Sequence, residues 1–293
     1  MAFELVRLPN SGMVLPARSK KNWDWKLLVG AAIVGVMIVC AVFAPWLAPY
    51  PFAQQSLAHR LIPPVFMTGG SWAHPLGTDQ LGRDYLSRLI FGARYSLMVG
   101  FGAILISSIV GIGLGIAGGF FGSYVDTVVM FLLSVRLSMP VMLAAIAIAG
   151  LLGSSLGLLV IVLASFLWDR FLSVARSMTS RIRDAEFVLA AKASGCSNLR
   201  ILFGEVLPNL APSMVVIATL EMAHAILLEA TFSFLGLGIR PPASSWGLMI
   251  AEAKDFVFFD PWLVNIPGIA IFVLISAITL MGAGLQQSLS TRE

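Results

Sequence analysis

The sequence predicts an all-α integral membrane protein with six transmembrane helices, and three observations carry that fold class. Of the 293 residues, 58% are hydrophobic and only 12% charged, at a mean hydropathy of +0.90. A soluble domain carries about 25% charged residues. The chain also holds several uncharged apolar runs long enough to span a bilayer, which takes about 20 residues of helix. Finally, residues 184–208 (DAEFVLAAKASGCSNLRILFGEVLP) form a polar interlude that reads as two short helices meeting at a glycine.

The elements follow in order. Residues 1–26 are a polar tail carrying Arg7, Arg18, Lys20, Lys21 and Lys26. The first apolar run begins at Leu27 and is long enough to span, so it reads as a retained helix and not a cleaved signal. Span one is 27–47, in a segment 27–49 that closes at Pro45 and Pro49. A polar segment, 50–94, follows with Pro63, Pro64 and Pro75. Within it Thr78 or Asp79 is expected to cap an amphipathic interfacial helix through Leu81, Leu86, Leu89 and Ile90. Residues 95–289 hold the other five spans, at 95–121, 125–151, 156–172, 209–234 and 264–285. Span two repeats glycine at every fourth position, Gly111, Gly115 and Gly119, a face on which another helix can approach closely. Pro140 is expected to kink span three. Trp246, Phe256, Phe258, Phe259 and Trp262 suit a membrane-interface belt.

The interlude has its own local logic. Asp184 is the expected N-cap of its first helix, Gly195 its left-handed C-cap, and Ser197 the cap of the second. The second helix should stop by Val206, because Pro208 disfavours helix at the residue before it.

Charge placement orients the chain. Six spans put both termini and the elbow on one side, and that side collects twelve of the Lys and Arg residues against six opposite, with Arg136 inside span three. The elbow and both termini, including residues 290–293, are therefore expected in the cytoplasm. The net charge of +4 comes without a basic patch interleaved with aromatics, so nothing points to nucleic acid.

No GxxxxGK[ST] phosphate loop, HExxH zinc pair or GxSxG nucleophile turn occurs. His59, His74 and His224 are too scattered for a metal cluster, and Cys40 and Cys196 are placed for neither a disulfide nor a metal site. No catalytic residue, resident metal or cofactor is expected. Intramembrane charges are the remaining candidates, because each costs about 2.5–3.5 kcal/mol at mid-bilayer unless paired or hydrated. Glu221, His224 and Glu229 lie in span five and Arg136 in span three. Glu221 and His224 share a helix face, as polar lining of a substrate path or as a locally satisfied pair. For Arg136, snorkelling or pairing is favoured over a transport role.

These residues resemble a known family. Ala190, Ala191, Gly195, Leu207 and Pro208 match the spacing of the EAA loop of permease subunits of binding-protein-dependent ABC importers. The stricter resemblance is to the second permease of the dipeptide, oligopeptide and nickel importers. It is carried by HPLGTDQLGRDYLSRLIFGARYSL, FGSYVD, EFVLAAKASGCSNLRILFGEVLPN, AILLEATFSFLGLGIRPPASSWGLM and PWLVNIPGIAIF, in that order. The resemblance implies the type I importer permease fold in a bacterial inner membrane. It implies a pore shared with a second permease, two ABC ATPases that bind ATP and Mg, and an extracytoplasmic substrate-binding protein. Glu186, Ala190, Ala191, Gly195, Leu207 and Pro208 would then couple to an ATPase. Gly77, Thr78, Asp79, Arg83, Asp84 and Trp246 become candidates for facing the binding protein. The chain departs from the family pattern at Leu189, Ser134, Arg136 and Ala283. The implied cargo is a di- or oligopeptide, with nickel or a metallophore as the alternative. An ion-coupled transporter or channel working alone, and an intramembrane enzyme, are the readings from other classes.

Overall fold

The apolar runs become helices, and the interruptions fall at proline, at glycine and where loops bury charge. The computed structural model describes residues 25–290. The basic tail through residue 24 and Arg292 lie outside the described residues. Helix α1 (Trp25–Val42) is followed by the short α2 (Ala44–Leu47), with Pro45 in its first turn, where a missing N–H costs nothing. Then come α3 (Tyr85–Phe121), α4 (Ser123–Ser138), α5 (Val141–Leu152), α6 (Leu156–Leu167) and α7 (Asp169–Arg183). The elbow helices are α8 (Glu186–Ala193) and α9 (Asn198–Ile201), and α10 (Leu207–Phe234), α11 (Trp246–Ala253) and α12 (Trp262–Ser290) complete the chain. Five helical stretches among the described residues are long and apolar enough to cross a membrane, or six if the bent pair α4–α5 is one span.

The sequence expectations need correcting at several points. Residues 85–94 are not a separate interfacial helix. They are the first turns of α3, which runs unbroken for 37 residues. Its cap is Asp84, whose carboxylate accepts the Ser87 N–H at 2.8 Å, and neither Thr78 nor Asp79 fills that role. At about 1.5 Å per residue α3 is roughly 55 Å long, so it projects beyond an approximately 30 Å hydrocarbon core. Span three does break at Pro140, and sharply, since α4 and α5 meet at 82°. Span four does not end at Leu172 but continues through α7 to Arg183. It can do so because Phe171, Leu172, Ala175 and Thr179 are buried on one face of α7 while the other face is polar.

Pro208 does not stop the helix before it. Residues Leu202–Val206 form a single π-helical turn, in which the Leu207 N–H donates to Leu202 O five residues back. The widened turn places Pro208 in the first turn of α10, where its absent N–H leaves no bond unmade. The result is a continuous helical rod over Asn198–Phe234. Trp246 and Trp262 do not join an interface belt: they are 2% and 5% exposed, whereas Phe258 and Phe259 are 91% and 83% exposed.

Packing follows the glycine face. Gly111, Gly115 and Gly119 set α3 directly against the backbone of residues 168–180, mainly α7. α1 and α10 pack on α12, and α11 lies between α12, α10 and the start of α3. One core cluster joins α3, α6, α7, the elbow and α10; a second joins α1, the start of α3, α11 and α12.

Candidate functional site

The elbow is built by its caps. Helix α8 ends with the Cys196 N–H donating to Ala191 O at 3.1 Å and the Gly195 N–H to Lys192 O at 3.0 Å. This bond pair turns the chain back through a left-handed residue, and Gly195 sits there at φ +78°. The Ser197 hydroxyl then accepts the Arg200 N–H and starts α9. Asp184 does not cap α8. It closes α7 instead, where hydrogen bonding to the Arg183 guanidinium holds its carboxyl below the usual carboxylate range. The N-cap of α8 is Ala185, which makes no side-chain bond.

Val188 anchors α8 in the core, and Ala191 packs partly against it. The rest of the elbow faces outward: Glu186, Ala190, Gly195 and Pro208 are exposed, and Leu207 is half-buried. Around them Phe187, Leu189, Leu199 and Phe203 present large exposed apolar side chains. A two-helix corner with apolar knobs and small residues on its outer face has the make-up of a docking surface.

A second constellation lies at the other end of α3. Asp79 Oδ2 accepts from Arg83 Nε at 2.6 Å and from Arg88 Nη1 at 2.5 Å. Glu252 Oε2 accepts from Arg83 Nη2 at 2.7 Å and from Arg88 Nη2 at 2.6 Å. Two arginines and two carboxylates thus close a neutral ring in which Asp79, Arg83 and Arg88 are almost fully buried. Beside it Asp84 bridges His74 Nδ1, at 2.9 Å, and the Ser87 backbone. Trp246 Nε1 donates to Leu89 O at 2.8 Å, which seats α11 on α3. Gly77 is also buried, in a left-handed turn at φ +80°, where a Cβ would lie 2.3 Å from Ile62 O. The six residues expected to face a binding protein therefore turn inward and lock the loop to α3 and α11. Sequence reading missed Arg88 and Glu252 as members of this ring. Nothing local marks Glu252, which meets Arg83 across 169 residues of chain.

The intramembrane charges form separate groups. Arg136 is paired, as expected: its Nη1 lies 3.2 Å from Asp169 Oδ2, and its guanidinium also donates to Phe166 O. Glu221 is 1% exposed, with His224 Nδ1 at 3.5 Å. Arg170 Nη1 reaches Glu221 Oε1 at 2.9 Å in an ion-pair contact without hydrogen-bond alignment. Glu229 stands apart and fully buried, accepting from Ser233 Oγ at 2.8 Å and Ser96 Oγ at 3.3 Å. Among the described residues no group of three or more metal-ligating side chains converges.

Known proteins are similar in sequence over most of the chain. The family described as the binding-protein-dependent transport system inner membrane component matches residues 107–292, and the N-terminal TM domain of oligopeptide transport permease C matches residues 27–64. The di/tripeptide transport system permease protein DppC of Pseudomonas aeruginosa is 39% identical over 285 residues, covering 96% of this chain and 94% of that one. The dipeptide transport system permease protein DppC of Haemophilus influenzae is 34% identical, with 90% of each chain covered. Among solved structures, an inward-facing MetNI methionine ABC transporter chain superposes with TM-score 0.56 at 15% identity, over 69% of this chain and 95% of that one. With a cross-family fold match and relatives similar from end to end, the chain belongs to the binding-protein-dependent transport system inner membrane components, as a membrane-embedded permease subunit of an ABC importer with the type I fold.

Proposed function

We propose that this chain forms half of the pore of an ATP-driven importer for di- or oligopeptides in the bacterial inner membrane. The other half is a second permease, two ABC ATPases supply ATP and Mg binding, and an external binding protein delivers the peptide. The observation that carries the reading is the elbow: a capped, rigid corner with exposed Phe187, Leu189, Leu199 and Phe203, continuous through one π turn with α10. A push on α8 reaches the pore as a rigid-body movement of α10, the kind of motion that reorients a two-state pore. The names of the two DppC relatives favour peptide cargo over nickel or a metallophore. The elbow and both termini face the cytoplasm in this reading. Because Thr78, Asp79, Arg83, Asp84 and Trp246 are buried, contact with the binding protein falls to the outer rim of the same loop, where Phe66 and Trp72 are exposed.

The test is uptake by the complete complex reconstituted with its second permease, ATPases and binding protein. Gly195→Trp should leave the subunits assembled and abolish ATP-dependent peptide uptake. A Cβ at Gly195 meets nothing within 4 Å, so the damage is to the φ +78° turn and to the groove that receives it, not to the core. A left-handed residue with a side chain costs about 1–2 kcal/mol, so Gly195→Ala should reduce uptake without abolishing it. Wild-type uptake by the Trp variant would rule out coupling through the elbow. Gradient-driven uptake by the purified chain alone would instead favour an ion-coupled transporter.

A further inference from the structure

Helix α7, the polar continuation of the apolar helix α6, carries an exposed polar stripe that packing within the chain leaves unexplained. Arg170, Ser173, Ser177, Ser180 and Arg181 are all exposed. At 100° per residue their spacing confines them to an arc of about 100°. The opposite face, with Phe171, Leu172, Ala175 and Thr179, is buried against α3. Among the described residues Ser177 and Ser180 make no hydrogen bond within the chain, so their hydroxyls need an outside partner. From Arg170 to Arg181 the stripe is about 17 Å long and descends toward the elbow.

At its upper end the stripe opens into a cavity of about 200 Å³ between α4, α7 and α10. Arg170, Ser173 and Glu221 line it, together with Asp169 and apolar side chains. The Arg170 side chain is 63% exposed, while the Glu221 carboxylate is almost wholly buried and its Oε1 lacks an aligned hydrogen-bond donor. The exposed Arg170 guanidinium is incompatible with lipid contact, and below it Ser173 bonds back to Asp169 O while Ser177 and Ser180 leave their hydroxyls for an outside partner. Opposite charges at one cavity, one exposed and one buried, and paired with each other, suit a ligand that brings both an ammonium and a carboxylate.

We infer that the polar stripe of α7 is this subunit's wall of the substrate path, and that Arg170 and Glu221 at its head receive the two charges of a zwitterionic substrate. The Arg170 guanidinium takes the carboxylate and the Glu221 carboxylate takes the ammonium, each exchanging its present partner for the passing ligand. The hydroxyls below then offer a hydrated descent toward the elbow. The choice of a zwitterion rests on the peptide-importer reading; the hydrated stripe does not.

Two arms test the inference on the complete complex. Single cysteines are placed by Ser173→Cys, Ser177→Cys and Ser180→Cys in a chain carrying Cys40→Ser and Cys196→Ser, and probed with a charged, membrane-impermeant thiol reagent. All three should react from the cytoplasmic side, while Val39→Cys on an apolar exposed face of α1 should not. If none of the three reacts until the complex is denatured, the stripe is a protein–protein interface and the inference falls. In the second arm, Arg170→Gln should lower peptide uptake by about tenfold or more, the worth of a charged hydrogen bond, with the complex still co-purifying and Arg170→Lys recovering part of the loss. Unchanged uptake with Arg170→Gln would overturn the charge assignment. If the wild-type complex takes up no peptide, the peptide reading fails instead, and the labelling arm still decides whether α7 lines the path.

Discussion

Replacing Arg88 with alanine is expected to lower the stability of the folded chain by about 3–5 kcal/mol, the cost of leaving a buried charge without its partner. Arg88 is 2% exposed and supplies one of the two guanidinium contacts to each of Asp79 and Glu252. Without it a single guanidinium, that of Arg83, must serve both carboxylates, one of them almost fully buried. The apparent melting temperature in detergent should fall accordingly. The loss is one of charge balance and not only of packing, so Arg88→Met combined with Glu252→Gln should recover most of it. That double variant retains the neutral Arg83–Asp79 pair and a side chain that still accepts from Arg83. If the single and double variants melt together, the ring does not carry the stability assigned to it. The functional consequence is local. This ring, with the Trp246 bond to Leu89 O, fastens α11 to the head of α3, so the loop over residues 50–84 should also become more accessible to protease.

Enlarging Gly115 should have an effect of similar size by a different route. A Cβ there would lie 2.6 Å from Leu172 O and 2.7 Å from the Ala175 Cβ. At Gly111 and Gly119 the corresponding backbone oxygens, Trp168 O and Arg176 O, would be at 2.4 and 2.6 Å. These obstacles are backbone atoms and a methyl group, so no rotamer change relieves them and the two helices must separate. Overpacking of this kind costs about 1–3 kcal/mol and sometimes more. Gly115→Ala, →Val and →Leu should therefore lower membrane abundance and melting temperature in that order. Gly113 is the internal control, because a Cβ there meets nothing within 4 Å. Gly113→Ala should be neutral or stabilising by up to about 1 kcal/mol through helix propensity alone. Equal behaviour of Gly113→Ala and Gly115→Ala would show that α3 and α7 are not packed through this face.

The elbow shows how much of a functional site can be local. Its glycine, its Ser197 cap and its small residues lie within a few positions of one another, and each follows from the preferences of one helix end. The same local rules misplaced the cap at Asp184, because Arg183 competes for that carboxylate and the chain leaves α7 before α8 begins. They also ended the second helix too early, because proline's prohibition applies to an α-register and the chain adopts a π turn instead.

The sequence by itself determined the apolar spans, the glycine face of α3, the break at Pro140 and the elbow. Hydropathy, helical period and capping act over a few residues, so they are written along the chain. Only the tertiary structure decided which charges meet. Glu252 joins Arg83 and Arg88 from the far end of the chain, and Arg170 reaches Glu221 from another helix. It turned the motif residues Asp79, Arg83 and Asp84 from an outward-facing surface into a buried fastening. An ionisable group inside a folded membrane protein needs ionic or hydrogen-bonding partners, and those partners are chosen by how helices pack in three dimensions.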